Sequence, residues 1–428
     1  MSEVEATLEA YRTRLASGGN SSPFLNPTPE TNTRYDKPIA TAQTEGLPII
    51  DISAFLDPDS SPSARQTTAQ AINAACVNYG FFYLTGHGIP LDMLDEVIDL
   101  AREFFSLPIE EKNKIKRYDA GGPEGGDGAR GYQGLGENVT GGLQDMQEAI
   151  DWYADWPSKQ NSSGDNQNGV DGSVKTLQGR NLWPSTPENL KPIYLEYIER
   201  VKKVGKAVVH AMGVALDLGP PSQQGGGEED EELFVRNCEE SFWVMRMIGY
   251  PPLPQSKSST KATPSSTSSG SQATTTSDNT SSITPDEHQE AQEEDISQFS
   301  CGAHTDYGCI TLLHTDATPS ALQVRLKNGT WLTASPLHGA FVVNIGDMIE
   351  RWTNGLWKST LHRVIHRSQG YRVSVPFFFE PNFDAVVKPL GACVKRSGGE
   401  RVSEGGTYGE HLLTKVFSNF YYSKRTDW

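Results

Sequence analysis

The 428-residue sequence predicts an α+β fold in which a mainly helical first half leads into an antiparallel β sandwich or barrel. Three observations predict it. Apolar residues recur at helical spacing over 91–108 and again over 187–217. From residue 300 onward, short runs of branched and aromatic residues alternate with turn residues. Two Asn-Gly pairs, Asn328-Gly329 and Asn354-Gly355, separate such runs and signal hairpins.

Residues 1–46 form a flexible arm on this reading, rich in Pro, Thr and Ser. "LPIIDISAFL" (47–56) follows as a short buried strand, and residues 62–78 as a helix with Ala71, Ala75 and Val77 among polar neighbours. "YGFFYLTGHGIP" (79–90) is a strand closed by Gly and Pro. The next segment is an amphipathic helix whose apolar side carries Met93, Leu94, Val97, Ile98, Ala101, Phe104 and Phe105, with Pro108 as its stop. "DAGGPEGGDGARGY" (119–132) is a glycine-rich loop that fits no phosphate-cradling pattern. A polar loop (158–175) precedes the long helix over 187–217, in which Tyr194, Tyr197, Val201, Val204, Val208, Met212 and Leu216 step by three and four. "SFWVMRMIGYPPLP" (241–254) is a strand. Residues 255–297, first Ser/Thr-rich and then acidic, cannot bury enough apolar area to offset their ordering entropy; they are expected to be a disordered insertion. The parts are thus the arm 1–46, a mainly helical part 47–220, and a β-rich part 221–428 that carries the insertion.

Composition narrows the function. A net charge of −17 argues against a nucleic-acid or anionic-membrane partner. There is no apolar run of about 18 residues and no apolar leader, so a soluble cytoplasmic protein is expected. Five widely spaced cysteines without a CxxC pair point to reduced thiols rather than disulfides or a cysteine-zinc site.

The chemistry concentrates in "CGAHTDYGCITLLHTDATPS" (301–320), where His-Thr-Asp occurs twice. In an extended chain a His and an Asp two residues apart face the same way and can offer two ligands to one ion. The copies lie ten residues apart, about 33 Å if extended, too far to share an ion. Two His and one carboxylate are the ligand set of non-haem iron(II) oxygenases, which leaves room for a bidentate co-substrate and O₂. "STLHRVIHRSQGYRVSVPFFFEP" (359–381) supplies a second histidine, His362, then Arg372 and Ser374 on one strand face, with Phe378 and Glu380 continuing that face. An inward arginine on an apolar strand needs an anion, and its planar fork suits a carboxylate.

In His304-x-Asp306, His362 and Arg372-x-Ser374, supported by "GFFYLTGHGIP", "RGYQGLGE" and "MRMIGYPP", the sequence resembles the 2-oxoglutarate/Fe(II)-dependent dioxygenases, in the branch similar to isopenicillin N synthase. The resemblance covers residues 47–425 and implies a distorted double-stranded β-helix, or jelly roll, with flanking helices. It implies Fe(II) on His304, Asp306 and His362, 2-oxoglutarate held by Arg372, Ser374 and Tyr250, and O₂ as oxidant, with ascorbate stimulating. The position two before Tyr250, often Asn in relatives, is Ile248 here. The implied reaction hydroxylates or desaturates a small metabolite, expected to be largely apolar, and releases succinate and CO₂, in a protein expected to act as a monomer. The alternatives are an oxidase of the same fold that dispenses with 2-oxoglutarate, and a silent jelly-roll scaffold. Arg130 and Tyr132 follow the glycine-rich loop, a region that reaches substrate in some relatives, and Phe378 and Glu380 continue the Arg372 face, so all four are candidate pocket residues, against loop solvation for Arg130 and Tyr132, core packing for Phe378 and a surface carboxylate for Glu380. His314 and Asp316, the second copy, are assigned to a surface turn; His87 to a structural turn; His366 to a position off the metal.

Overall fold

The computed structural model describes residues 46–120, 123–140, 143–156, 176–220, 229–253 and 299–422. The expected insertion 255–297, the loop 158–175 and all but the last residue of the arm 1–46 lie outside the described residues. In the first half the strands are β1 (Ile49–Asp51), β2 (Phe81–Thr85), β3 (Gly131–Gln133), β4 (Val139–Thr140), β5 (Leu143–Gln144), β6 (Glu148–Tyr153) and β7 (Val244–Tyr250). Then come β8 (Cys301–His304), β9 (Ile310–Thr315), β10 (Leu322–Arg325), β11 (Trp331–Thr333), β12 (Phe341–Ile345), β13 (His362–Val364), β14 (Arg372–Phe379), β15 (Val386–Val387) and β16 (Gly406–Thr407). The long helices are α1 (Pro62–Asn78), α2 (Leu91–Phe105), α3 (Leu190–Ala215) and α4 (Tyr408–Tyr422).

Two sheets make the body. The large one has the order β1-β2-β12-β9-β14-β7-β6-β3, antiparallel except for the β1–β2 pair. The smaller one has the order β11-β10-β13-β8 and is antiparallel throughout. Side chains from both sheets, including Phe81 and Ile248 from the large and Leu322, Val324 and Val364 from the small, share one apolar cluster. This two-sheet β-helix with helices outside it is the jelly-roll architecture expected.

Helices cover the outer face of the large sheet because each carries one apolar stripe. Helix α2 buries all seven residues of its predicted apolar side; each such large side chain contributes about 1.5–3 kcal/mol on burial. Ser61 caps α1 by accepting from the Ala64 amide at 3.2 Å, with Pro62 in the first turn. Helix α3 lies so close to β14 that a Cβ on Gly205 would meet the Phe379 ring at 2.5 Å, so glycine there permits the contact.

Local expectations fail in three places, and one of the two hairpin signals holds. The strand at 47–56 is only three residues long, with Ile49 exposed, and a helical turn takes Ser53–Leu56. The buried face of α1 is Ala69, Ile72, Ala75 and Cys76, whereas Ala71 and Val77 face outward. Asn328-Gly329 turns the β10–β11 hairpin, Gly329 having φ +84°. Asn354-Gly355 instead ends the short helix Asp347–Trp352, with both residues at positive φ; the same turn chemistry serves a helix terminus as well as a hairpin.

Candidate metal and co-substrate site

The two imidazoles meet because they are partners in one ladder. His304 ends β8, His362 begins β13, and the two residues pair directly across the small sheet. Their ring centroids are 4.3 Å apart. Each Nδ1 is turned outward onto a backbone carbonyl two residues back, His304 on Gly302 at 2.7 Å and His362 on Thr360 at 3.1 Å. Both Nε2 atoms therefore face inward, each 3.7 Å from Oδ1 of Asp306. One donor atom from each of the three residues lies within 4.8 Å of the others. The edge of Phe81 packs on His362 at 5.2 Å.

Asp306 is fixed from two directions. The loop carrying it is stitched to the start of the helix Asp347–Trp352: the Asp347 amide donates to the Asp306 carbonyl at 2.9 Å, and the Met348 amide to that of Gly308 at 2.9 Å. Its Oδ2 accepts from Thr311 Oγ1 and from Asn344 Nδ2 at 2.6 Å, leaving Oδ1 for the imidazoles. Against the penalty of burial, His362, His304 and these donors hold its carboxyl below the usual range. Burial and the neighbouring His304 push His362 down to about 4. Against the penalty of burial, Cys301 and Asp306 push His304 up to about 10, so a divalent ion takes this His-carboxylate-His donor set by displacing the His304 proton. Asn344 and Thr311, which hold the Asp306 carboxylate, are residues the sequence reading missed; the signal was a lone Asn in the apolar run "AFVVNI". Asn344→Ala is expected to weaken Fe(II) binding roughly 10–100-fold, as loss of an outer hydrogen bond to a ligand does. Anaerobic titration measures this, and unchanged affinity would show that Asn344 does not orient Asp306.

The second cluster lies on the large sheet. Arg372 begins β14 opposite Tyr250, the last residue of β7, and Ser374 stands opposite Ile248. The Arg372 side chain is buried, with its guanidinium carbon 4.9 Å from the centre of the Tyr250 ring. It makes one hydrogen bond, from Nη2 to Thr315 Oγ1 at 3.2 Å, while Nε and Nη1 have no partner. A buried cation with two idle donors is the group a carboxylate fits. Burial pushes the Tyr250 phenol up to about 12, partly offset by Arg372 and a hydrogen bond with Ser374.

Both clusters border one cavity of about 220 Å³ between the sheets. Arg372, Ser374, Pro376, Phe378 and Glu380 all line it, so the alternating face of β14 continues as the sequence indicated. Glu380 is not a surface carboxylate: it is 4% exposed, and its Oε2 accepts from the Cys309 amide at 2.7 Å. Its carboxyl fills the space where a Cβ on Gly308 would stand, and burial pushes its pKa up to about 8. Gln133, Gln147, Asp151 and Arg246 form another wall that the sequence did not reveal. The Oε1 atoms of Gln133 and Gln147 are buried there without partners.

Two candidate pocket residues do not reach the cavity. Arg130, 3% exposed, is neither solvated nor substrate-facing. Asp127, Asn181 and the carbonyls of Leu177 and Ala154 use its donors at 2.6–3.1 Å. Tyr132 is buried too, donating to Glu148 Oε2 at 2.5 Å beside Lys112. The residues of the second His-Thr-Asp are also misplaced by the surface-turn assignment. His314 lies within β9 and bonds the Leu94 carbonyl at 2.9 Å; Asp316 is 5% exposed and accepts from Val373, Thr318 and Arg102. His87 does hold a turn, bonding the Gly339 carbonyl and the Ile89 amide, and His366 bonds the Gly370 carbonyl away from the triad.

Known proteins match along most of the chain. Residues 47–186 match the family model described as the N-terminal region of non-haem dioxygenase in morphine synthesis, and residues 240–381 that of the 2OG-Fe(II) oxygenase superfamily. A homoarginine-6-hydroxylase of Arabidopsis thaliana is 39% identical over 385 residues, covering 88% of this chain and 98% of its own length. The 2-oxoglutarate-Fe(II) type oxidoreductase hxnY of Emericella nidulans is 30% identical over 353 residues, 81% of this chain and 83% of that one. The crystal structure of Neurospora crassa T7H in complex with alpha-KG shares the fold, with a TM-score of 0.62 and 24% identity over 87% of this chain and 96% of that chain.

Proposed function

Because the chain belongs to the 2OG-Fe(II) oxygenase superfamily, we propose that His304, Asp306 and His362 hold its iron, that Arg372, Ser374 and Tyr250 hold the distal carboxylate of its 2-oxoglutarate, and that its substrate is a small cationic amino acid. The protein is an Fe(II)- and 2-oxoglutarate-dependent oxygenase acting on a small molecule. When bound, iron and 2-oxoglutarate supply O₂ activation for C–H hydroxylation, with succinate and CO₂ as by-products. The protein's residues place and shield these partners. His304 and His362 present Nε2 atoms whose tautomer is set by their carbonyl-bound Nδ1. Arg372 offers its idle Nε and Nη1 to a carboxylate across the same cavity.

The observation that carries this reading is one cavity between the sheets with an imidazole–carboxylate triad on one side and a buried arginine with two idle donors on the other. Two things support a cationic substrate. A relative 39% identical over nearly its whole length is named for homoarginine. The cavity wall also holds two unpartnered amide oxygens, on Gln133 and Gln147, which suit a group rich in N–H donors; Asp151 beside them is already paired with Arg246 at 3.1 Å and with Gln133 at 2.6 Å. Phe378 and Glu380 complete the pocket. On this reading the protein works as a cytoplasmic monomer, its five cysteines all buried free thiols. Among the described residues no helix is long and apolar enough to cross a membrane.

The test is substrate-driven succinate release with Fe(II), 2-oxoglutarate and ascorbate, which keeps the iron ferrous. Homoarginine, arginine and lysine are compared with leucine and thymine. Stimulation by homoarginine above the neutral compounds is expected. Stimulation by a neutral compound alone would overturn the substrate class.

A further inference from the structure

The second His-Thr-Asp is left without a task by the metal site, yet all three residues are engaged at the site's other end. The alternation that lets His304 and Asp306 share a face puts His314 and Asp316 on one side of the chain and Thr315 on the opposite side. His314 and Asp316 both reach helix α2, through the Leu94 carbonyl at 2.9 Å and Arg102 Nη2 at 2.9 Å. Thr315 stands in register with Ser374 and follows Thr311 and Leu313, which line the cavity, on the same face of β9. Its hydroxyl accepts from Arg372 Nη2 at 3.2 Å and donates to the Val373 carbonyl at 3.2 Å. Asp316 closes the other half of that residue: its Oδ2 accepts from the Val373 amide at 2.9 Å, and its own amide donates to the Val373 carbonyl at 3.1 Å.

Val373 is therefore gripped at both N–H and C=O immediately beyond Arg372, at the very start of β14. On its β7 side this strand end pairs from Arg372 onward, whereas its pairing with β9 begins only at Ser374, so the grip on Val373 secures the β9 side; Gly370, two residues before Arg372, sits at φ +96°. The Arg372 guanidinium has one hydrogen bond to steer it, and that bond is to Thr315. We propose that Thr315 and Asp316 are positioning residues for Arg372: they fix the strand end and aim the guanidinium at the co-substrate's distal carboxylate, with α2 as their anchor. This rests on the reading that Arg372 binds that carboxylate.

The test compares two keto acids bound anaerobically to the Mn(II)-loaded full chain. 2-Oxoglutarate has the distal carboxylate; 2-oxopentanoate chelates through the same keto acid end but lacks it. Thr315→Val removes the hydroxyl and keeps the shape. It is expected to weaken 2-oxoglutarate on the order of tenfold, the scale of one hydrogen bond to a charged group, and 2-oxopentanoate less than about twofold. Thr315→Ser, which keeps the hydroxyl, is expected to restore the preference. Asp316→Ala is expected to act in the same direction; should it fail to fold, Thr315→Val decides alone. Equal weakening of both keto acids, or of neither, by Thr315→Val overturns the proposal. Arg372→Met separates the two failures. If it abolishes the preference while Thr315→Val does not, only the positioning role falls; if it too leaves the preference intact, the co-substrate reading falls with it.

Discussion

His362→Ala is expected to lose Fe(II) binding and substrate-driven succinate release together, each by more than about 100-fold, beyond the range that outer hydrogen bonds to a ligand account for. His362 contributes one of three inward donors, and its Nε2 is 3.7 Å from Asp306 Oδ1 with no other described imidazole in that space but His304. The informative control is His314→Ala. That residue belongs to an identical tripeptide but spends its Nε2 on the Leu94 carbonyl. Its loss removes one buried hydrogen bond and leaves a small void, about 1–3 kcal/mol, read as a lower melting temperature with Fe(II) binding retained. Comparable loss of Fe(II) affinity in the two variants would show that the ligand assignment is wrong.

Arg372→Met is expected to raise the KM for 2-oxoglutarate by a factor of roughly 30 or more, since truncating one partner of a buried charge pair costs about 2–5 kcal/mol. The same change carries an opposite expectation for the protein alone. Without co-substrate, Arg372 is a buried cation with two idle donors, which is a cost to folding. Methionine removes that cost at similar length, so the apo melting temperature is expected to hold or rise while the 2-oxoglutarate-induced increase disappears. A KM within about threefold of the parent's would remove Arg372 from the co-substrate site. A lower apo melting temperature would mean that the guanidinium's contacts with Thr315 and the Tyr250 ring outweigh the cost of burying it.

Much of the centre was legible because strands enforce a two-residue period. His304 and Asp306, like Arg372 and Ser374, are spaced to share a face, and Phe378 and Glu380 extend the second set into the cavity as that period requires. Helix α2 announced its buried side for the corresponding reason at a period of 3.6. The failures share another cause. His314 and Asp316 were assigned to solvent because a turn follows them, but the partners that draw them in, Leu94 and Arg102, come from a helix some 220 residues earlier. Arg130 is neither the pocket residue nor the solvated loop residue that its neighbours in sequence suggest, because Asp127 and carbonyls from two separate segments satisfy it internally. Asn344 and Thr311 gave little local signal because their meaning depends on a carboxylate brought in by the fold. Period and polarity state which way a residue points; only the assembled sheets supply what it points at.

Gly308 and Glu380 have a consequence for how such a chain can change over generations. The two positions compete for one volume: the carboxyl at 380 stands where any side chain at 308 would begin. An alanine at 308 therefore displaces the Glu380 carboxyl and breaks its bond from the Cys309 amide. Substitution at either position thus costs the same hydrogen bond, which couples what the two sites can accept.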